Sequence, residues 1–341
     1  MRNPLFVYGF PGLYGGAGTE LHHQIPLWQK LGFDVHLIPN SSAYERDPLY
    51  SEMLTAGVIV HKHNEFSAIE RDAPVFGFCS AEFLDRLDEI REYSTNTVFV
   101  NCMTWLFENE KRRMAEGKIR TFLYQNPNVL TINAPILQRL NPGARCNFLA
   151  VRPYFDPSRF PFVEKRSGEF FGCGRISRQD ADKYARNTLH IYEYFVAPRL
   201  KRGLFLGFDK RSREKIGKPF DWIRTAVDQK ECTQQEFYQH CEIVLQPMDT
   251  TENWPRVGFE AMSSGSVLIV DNRGGWPLQI EHGVTGWLCN NERDFIYYAS
   301  KMAYEPNLRL EMAWRARASM ESLGGVAVSM ESWVEVFKAI A

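Results

Sequence analysis

The chain of 341 residues carries 40 basic and 41 acidic side chains, a formal charge of -1. This excludes a cationic sheath and points by charge to neither nucleic acid nor a membrane. The length fits two domains, each able to bury its own apolar core. Seven scattered cysteines without a C-x-x-C pair argue against a zinc ribbon or a secreted disulfide scaffold and suit a reducing, cytoplasmic setting.

No stretch approaches 18 uncharged apolar residues, so no transmembrane segment is expected, while peripheral membrane contact through a short amphipathic face stays open. From the N-terminus, Leu5 to Gly9 reads as a strand, Gly12 to Gly18 as a glycine-rich turn, Thr19 to Leu31 as a helix and Val35 to Ile38 as a second strand. Further strands are expected at Gly57 to Val60, Val75 to Phe78, Val98 to Asn101, Val129 to Ile132 and Asn147 to Ala150, with helices between most of them. Alternating strands and helices predict a parallel α/β sheet covered on both faces. Pro153, Pro157 and Pro161 make Arg152 to Gly168 an extended linker. The pattern then restarts with strands at Phe170 to Gly172, Leu204 to Gly207, Ile243 to Gln246 and Val267 to Asp271, and helices at Asn187 to Tyr194, Gln234 to His240 and Val257 to Ser264. The expectation is two doubly wound, Rossmann-like domains, 1–155 and 156–325, facing each other across a cleft, with a last helix in 326–341 returning to the first.

The loop from Gly12 to Glu20 leads into a helix start, which favours an anion. It is no dinucleotide fingerprint, because G-x-G-x-x-G read from Gly16 places Leu21 at the third glycine, and the end of the second strand offers Asn40 where an acid would be wanted. A tight turn before an ordinary helix is the plain alternative. His22-His23 and His61-Lys62-His63 lack a third metal ligand nearby, so hydrogen-bonding roles are preferred, with His63 on the acceptor side. Asn101 to Trp105 closes a strand and either packs there or lines the same cleft, and Glu108 to Glu116 reads as an exposed helix of mixed charge.

In the second half, Arg175 and, eight residues on, Lys183 can neutralise a pyrophosphate, Arg through its fork and Lys as a point charge. Asp180-Ala-Asp182 offers a D-x-D pair for a divalent metal, although Arg178 and Lys183 compete for those acids. Glu252 and Glu260 flank a helix start, with Pro255 expected at its first position. Paired carboxylates there suit the vicinal hydroxyls of a sugar or ribose, and the amides after Glu252 suit a diphosphate. One solvated and one helix-capping Glu is the alternative.

In this order, Gly15-Gly16, Gly32-Phe-Asp-Val35, Phe155-Asp156-Pro-Ser-Arg159-Phe160, Gly174-Arg175, Glu252 to Glu260, Glu260-Ala-Met-Ser-Ser-Gly265, Gly274-Gly275 and Gly283 to Gly286 resemble the motifs of GT-B-fold retaining glycosyltransferases, in particular glycosyltransferase family 4. The resemblance covers nearly the whole chain. It implies a retaining transferase that moves a sugar from a nucleoside-diphosphate sugar to an acceptor hydroxyl, with no cofactor and no metal. By that resemblance Arg175 and Lys183 hold the diphosphate, Glu260 the ribose and Glu252 the donor-sugar hydroxyls. Asn253, Trp254, Arg256 and Val257 fall on the donor side, and Gly15 and Gly16 lie beneath phosphate and acceptor. Tyr14, His63, Asn101, Thr104 and Trp105 are assigned to the acceptor side, where aromatics such as Tyr14, Trp105 and Phe107 favour a saccharide. Trp254-Pro255-Arg256 departs from the family's glycine and aliphatic residues, and Lys183 stands further from Arg175 than the family lysine does. A GT-B sugar-nucleotide epimerase or phosphorylase, or a non-catalytic carbohydrate- or nucleotide-binding module, is the rival reading.

Overall fold

The computed structural model describes residues 3–12, 16–143, 145–164 and 168–341. The chain divides into two compact units, one of Met1–Phe155 with Val326–Ala341, the other of Asp156–Gly325. The first unit runs β1 (Asn3–Tyr8), α1 (Gly16–Lys30), β2 (Phe33–Ile38), α2 (Tyr50–Thr55), β3 (Ile59–Val60), β4 (Val75–Phe78), α3 (Ala81–Asp85), α4 (Leu87–Arg91), β5 (Thr97–Asn101), α5 (Glu108–Ala115), β6 (Thr121–Tyr124), α6 (Asn128–Ile132), α7 (Ala134–Leu140) and β7 (Asn147–Ala150). The second runs β8 (Phe170–Ile176), α8 (Thr188–Tyr194), β9 (Leu200–Leu206), α9 (Lys210–Ile216), β10 (Ile223–Ala226), α10 (Gln234–His240), β11 (Ile243–Gln246), α11 (Arg256–Ser264), β12 (Val267–Asp271), β13 (Trp287–Cys289), α12 (Glu292–Tyr304) and α13 (Pro306–Gly324). The last helix, α14 (Val326–Ile340), belongs to the first unit.

The first sheet has the order β3-β2-β1-β4-β5-β6-β7, with every pairing parallel. Strand alternation sends Leu5 and Val7 into one core with Trp28 and Trp333, and Phe6 and Tyr8 into another with Phe83 and Phe99. Both faces are therefore buried, which is why these strands read as unbroken apolar runs. Trp333 docks α14 through a T-shaped contact with Trp28 at 5.1 Å and a stacked one with Phe76 at 5.7 Å. Its indole N–H donates to Gln24 at 2.6 Å, and Gln24 in turn donates to Glu20 at 2.6 Å. Glu20 also accepts the Tyr154 amide at 3.0 Å, so one buried polar chain ties α14, α1 and the end of the unit's main segment.

One expected strand is a helix. Val129 to Ile132 forms α6, and the strand of this region is β6, just before it. Apolar, β-branched residues suggested extension, but Asn126 accepts the Asn128 amide at 2.9 Å and Pro127 stands at the N-cap, so the turn they make sends the chain into a helix. Ile132 is left exposed at the helix end.

The second sheet has the order β10-β9-β8-β11-β12-β13, again all parallel. In each sheet the strand order reverses once, between β1 and β4 in the first and between β8 and β11 in the second. Such a reversal leaves a crevice beyond the strand ends where α/β sheets bind ligands. Gln246, at the end of β11, donates to the Ile176 carbonyl at 2.7 Å and so braces the β8–β11 reversal.

Candidate functional site

Two loops meet beyond the β8–β11 reversal. The first, after β8, is shaped by Asp180, whose carboxylate accepts the Asp182 amide at 3.0 Å and the Arg178 guanidinium at 2.9 Å. That use of Asp180 explains the D-x-D triplet as a turn. Lys183, at the end of this loop, places Nζ 2.8 Å from Oε1 of Glu252, 69 residues away in sequence and on the second loop. Thr250 donates to the Asp182 carbonyl at 3.1 Å, and Lys215 of α9 joins the Ala181 carbonyl to Asp249, each at 3.1 Å. Lys215 has no motif around it; only the folded chain brings it here.

Glu252 owes its position to the glycine pair after β12. Gly275 donates its amide to the Glu252 carbonyl at 2.8 Å. A Cβ on Gly275 would fall 1.9 Å from the Asn253 carbonyl oxygen, and Gly274 has φ +64° with Glu252 O 2.2 Å from where its Cβ would be. Only glycine lets the two backbones approach this closely. Pro255 is the N-cap of α11, with ψ 111°, rather than its first helical residue, which is Arg256. Gly265, left-handed at φ 78°, ends the helix.

Arg175 lies deeper than a strand terminus suggested. Alternation along β8 points it to the same face as Phe171 and Cys173, where it is fully buried with its guanidinium 3.7 Å from the ring centre of Tyr184. Nη1 donates to Ser177 Oγ at 3.3 Å, while Nε and Nη2 have no hydrogen-bond partner. Burial pulls its pKa down and the Glu252 carboxylate acts the other way. The sequence-predicted Arg175, Lys183 and Glu252 thus form one electrostatic group, with the loop lysine more accessible than the buried arginine.

Glu260, one turn into α11, is also buried. Its Oε2 accepts the Tyr238 hydroxyl at 2.9 Å and the Gln234 amide at 3.3 Å. Burial raises the Glu260 pKa, and Tyr238, Arg256 and Gln234 oppose the rise. The remaining donor-side residues follow the helix start. Asn253 is half-buried, Trp254 packs edge-on to Phe259 at 6.0 Å with its indole N–H buried and unpartnered, Arg256 is buried, and Val257 offers its carbonyl to Tyr238 at 3.3 Å.

In the first unit, Tyr14 and Gly15 lie outside the described residues, and Gly16 stands exposed as the first residue of α1. Asn101 is wholly buried and its side chain builds the following loop: it donates to Glu110 at 2.8 Å and accepts the Met103 amide at 2.7 Å. Glu110 also accepts the Phe107 amide at 2.7 Å, and burial pushes its carboxyl up to about 7. Thr104 is buried and its carbonyl accepts from Asn133 at 3.0 Å. Trp105, 41% exposed, and Phe107, 42% exposed, stand out from this braced loop with ring centres 6.3 Å apart. His63 is exposed after β3, whereas His61 turns inward to His36 at 3.0 Å. Asn101 and Thr104 therefore shape the loop, and Trp105 and His63 are the members of the acceptor-side set offered to solvent among the described residues.

Residues 229–318, which hold both Glu252 and Glu260, match the family model of glycosyl transferases group 1. The whole chain superimposes on solved glycosyltransferases with the GT-B fold. Residues 229–318 thus carry a glycosyl transferases group 1 domain, and the chain around them has the GT-B fold. HepE of Anabaena, solved with UDP and glucose, is 13% identical with a TM-score of 0.74, covering 99% of this chain and 100% of that one. The sucrose-phosphate synthase of Thermosynechococcus elongatus is also 13% identical, with a TM-score of 0.72 and 99% of each chain covered. The pneumococcal O-GlcNAc transferase GtfA, solved with UDP and GlcNAc, is 11% identical, with a TM-score of 0.68 and 99% of each chain covered. Compared by sequence with curated proteins, the chain has no match. No helix among its described residues is long and apolar enough to cross a membrane.

Proposed function

We propose that this chain is a glycosyltransferase that moves a sugar from a uridine-diphosphate sugar to a saccharide hydroxyl, with retention at the anomeric carbon and without a metal, in the manner of family 4. The reading rests on Lys183, Glu252 and Arg175: a cation and a carboxylate from distant loops meet at 2.8 Å beyond the β8–β11 reversal, with a buried guanidinium within electrostatic reach. A buried guanidinium with two unbonded nitrogens is costly, and phosphate oxygens are acceptors able to satisfy such donors. The UDP held by HepE and by GtfA supports a uridine donor.

In this scheme the bond between the anomeric carbon and the diphosphate oxygen breaks as the acceptor oxygen attacks from the same face. The acceptor proton passes to the departing phosphate oxygen. Lys183 and Arg175 stabilise the charge that grows on the diphosphate, a role worth several kcal/mol at comparable anion sites. Glu252 holds donor-sugar hydroxyls, and Glu260 holds the ribose. On the other unit, Trp105 and Phe107 present apolar ring faces suited to stacking on a saccharide.

Thermal unfolding of wild type and Glu260→Ala against UDP, GDP, ADP and NAD tests the donor reading. A native-state ligand at 100 times its dissociation constant adds about 2.7 kcal/mol. UDP is expected to stabilise the wild type alone. Stabilisation only by NAD, or by none of the four, overturns the reading. Transfer from a UDP-sugar should survive EDTA; strict dependence on added magnesium or manganese removes the metal-free mechanism.

A further inference from the structure

The buried acid of α11 needs help to work as a hydroxyl acceptor, and that help comes from a different helix. Thr233 and Glu236 start α10 with a reciprocal cap, Glu236 N to Thr233 Oγ1 at 3.1 Å and Thr233 N to Glu236 Oε2 at 2.7 Å. The cap fixes Gln234 as the first helical residue, and Tyr238, four residues on, lies on the same side of the helix. Both side chains reach one oxygen of Glu260, Oε2. The Tyr238 ring is held edge-on to Phe237 at 5.0 Å and to Phe160 at 5.7 Å and is only 1% exposed, so its hydroxyl has little freedom to point elsewhere.

We infer that Tyr238 is a positioning residue for the donor ribose: its hydroxyl, 2.9 Å from Glu260 Oε2, holds that carboxyl group turned so that Oε1 is the oxygen presented to the ribose diol. The inference rests on the proposed role of Glu260 in donor binding. Its physical basis is a competition. Burial favours the protonated acid, which has less acceptor capacity for a diol, while donors directed at Oε2 favour the carboxylate. The charged and polar groups set against Glu260 are Arg256 on its own helix and Tyr238 and Gln234 on α10. Tyr238 is the buried one of the α10 pair, and a hydrogen bond to a buried charge weighs more than one from a half-exposed amide. Tyr238 therefore sets how strongly the enzyme distinguishes a ribose from a sugar lacking its hydroxyls.

The test compares the binding of UDP and of 2′,3′-dideoxy-UDP to wild type, Tyr238→Phe and Gln234→Leu by calorimetric titration, with donor KM and kcat measured alongside. Wild type should bind UDP at least about tenfold more tightly than the dideoxy compound. Tyr238→Phe keeps the packed ring and should weaken UDP about tenfold while leaving the dideoxy compound within twofold, raising donor KM with kcat little changed. Gln234→Leu, at a half-exposed site, should move the ratio in the same direction by a smaller factor, and it carries the test if Tyr238→Phe fails to fold. Equal weakening of both nucleotides by Tyr238→Phe, or an unchanged ratio in both variants, overturns the inference. A wild type that binds UDP but does not distinguish the two nucleotides overturns the role of Glu260 at the ribose and the inference with it. A wild type that binds neither overturns the donor assignment itself.

Discussion

Arg175 and Lys183 show how residues close in sequence can differ in surroundings. Arg175 is inside the second unit beneath Tyr184, and Lys183 is on a loop, paired with Glu252. Both are proposed to meet the same diphosphate, so their removal should fail in the same way but at different cost to the fold. Lys183→Met should lower turnover about 10²-fold, by analogy with loss of one anion-stabilising donor, and leave the melting temperature near that of wild type. Arg175→Met keeps most of the side-chain volume and removes the buried charge, so it should lower turnover at least as far without unfolding the unit. Steady-state kinetics together with a melting curve checks both; turnover within twofold of wild type in either folded variant removes that residue from the reaction. The positions of these two residues were legible as a motif, but the burial of Arg175 was not, because it depends on which face of β8 the strand alternation assigns to the core.

At the scale of elements, the loop from β5 into α5 is held by an acid that sequence reading placed in an exposed, mixed-charge helix. Glu110 is wholly buried, accepting from the Phe107 amide and from Asn101, and its carboxyl is pushed up to about 7 from an ordinary 4.5. Between those two values the folded chain binds the proton more readily than the unfolded chain does, so stability falls as pH rises from about 4.5 to about 7 and then levels off for this group. Asp271, raised to about 6 by burial, adds a contribution of the same sign. Glu110→Gln has no proton to lose. Its melting temperature relative to wild type should therefore rise as pH goes from 5 to 8; a constant difference across that range would show that Glu110 does not titrate there. The same loop carries Trp105 and Phe107, so a buried titration reaches an exposed aromatic pair through Asn101 and the start of α5. Nothing in a run of Glu, Asn, Lys and Arg indicates this, because neither the tertiary burial of the third helical residue nor the pairing with Asn101 has a local pattern.

For the whole molecule, each of the two units has its own sheet and its own buried cores. Trp333 packs within the first unit, on Trp28 and Phe76, and joins the hydrogen-bonded chain to Gln24 and Glu20. Trp333→Ala should cost the first unit about 3–5 kcal/mol, the usual range for deleting a fully buried aromatic. Scanning calorimetry should show the transition of that unit moving down while the transition of the second unit stays in place. A uniform shift of both transitions would show the two unfolding as one.

The sequence by itself determined the α/β class, the two doubly wound sheets and the order of the glycosyltransferase motifs, because parallel strands buried on both faces write unbroken apolar runs and glycine turns write backbone demands directly into residue types. It also marked Glu252 and Glu260 as a pair on either side of a helix start. It misread Val129 to Ile132, where apolar composition is common to strand and helix and the preceding Asn-Pro turn decided between them. Only the tertiary structure decided that Lys183 meets Glu252, that Lys215 joins their two loops, that Arg175 is buried under Tyr184, and that Tyr238 reaches Glu260 from another helix. Each of these depends on segments that only the folded chain brings together, whether 69 residues apart, as Lys183 and Glu252 are, or nine, as Arg175 and Tyr184 are. Charge, burial and hydrogen bonding there are properties of the assembled surroundings, and no local spacing of residues encodes them.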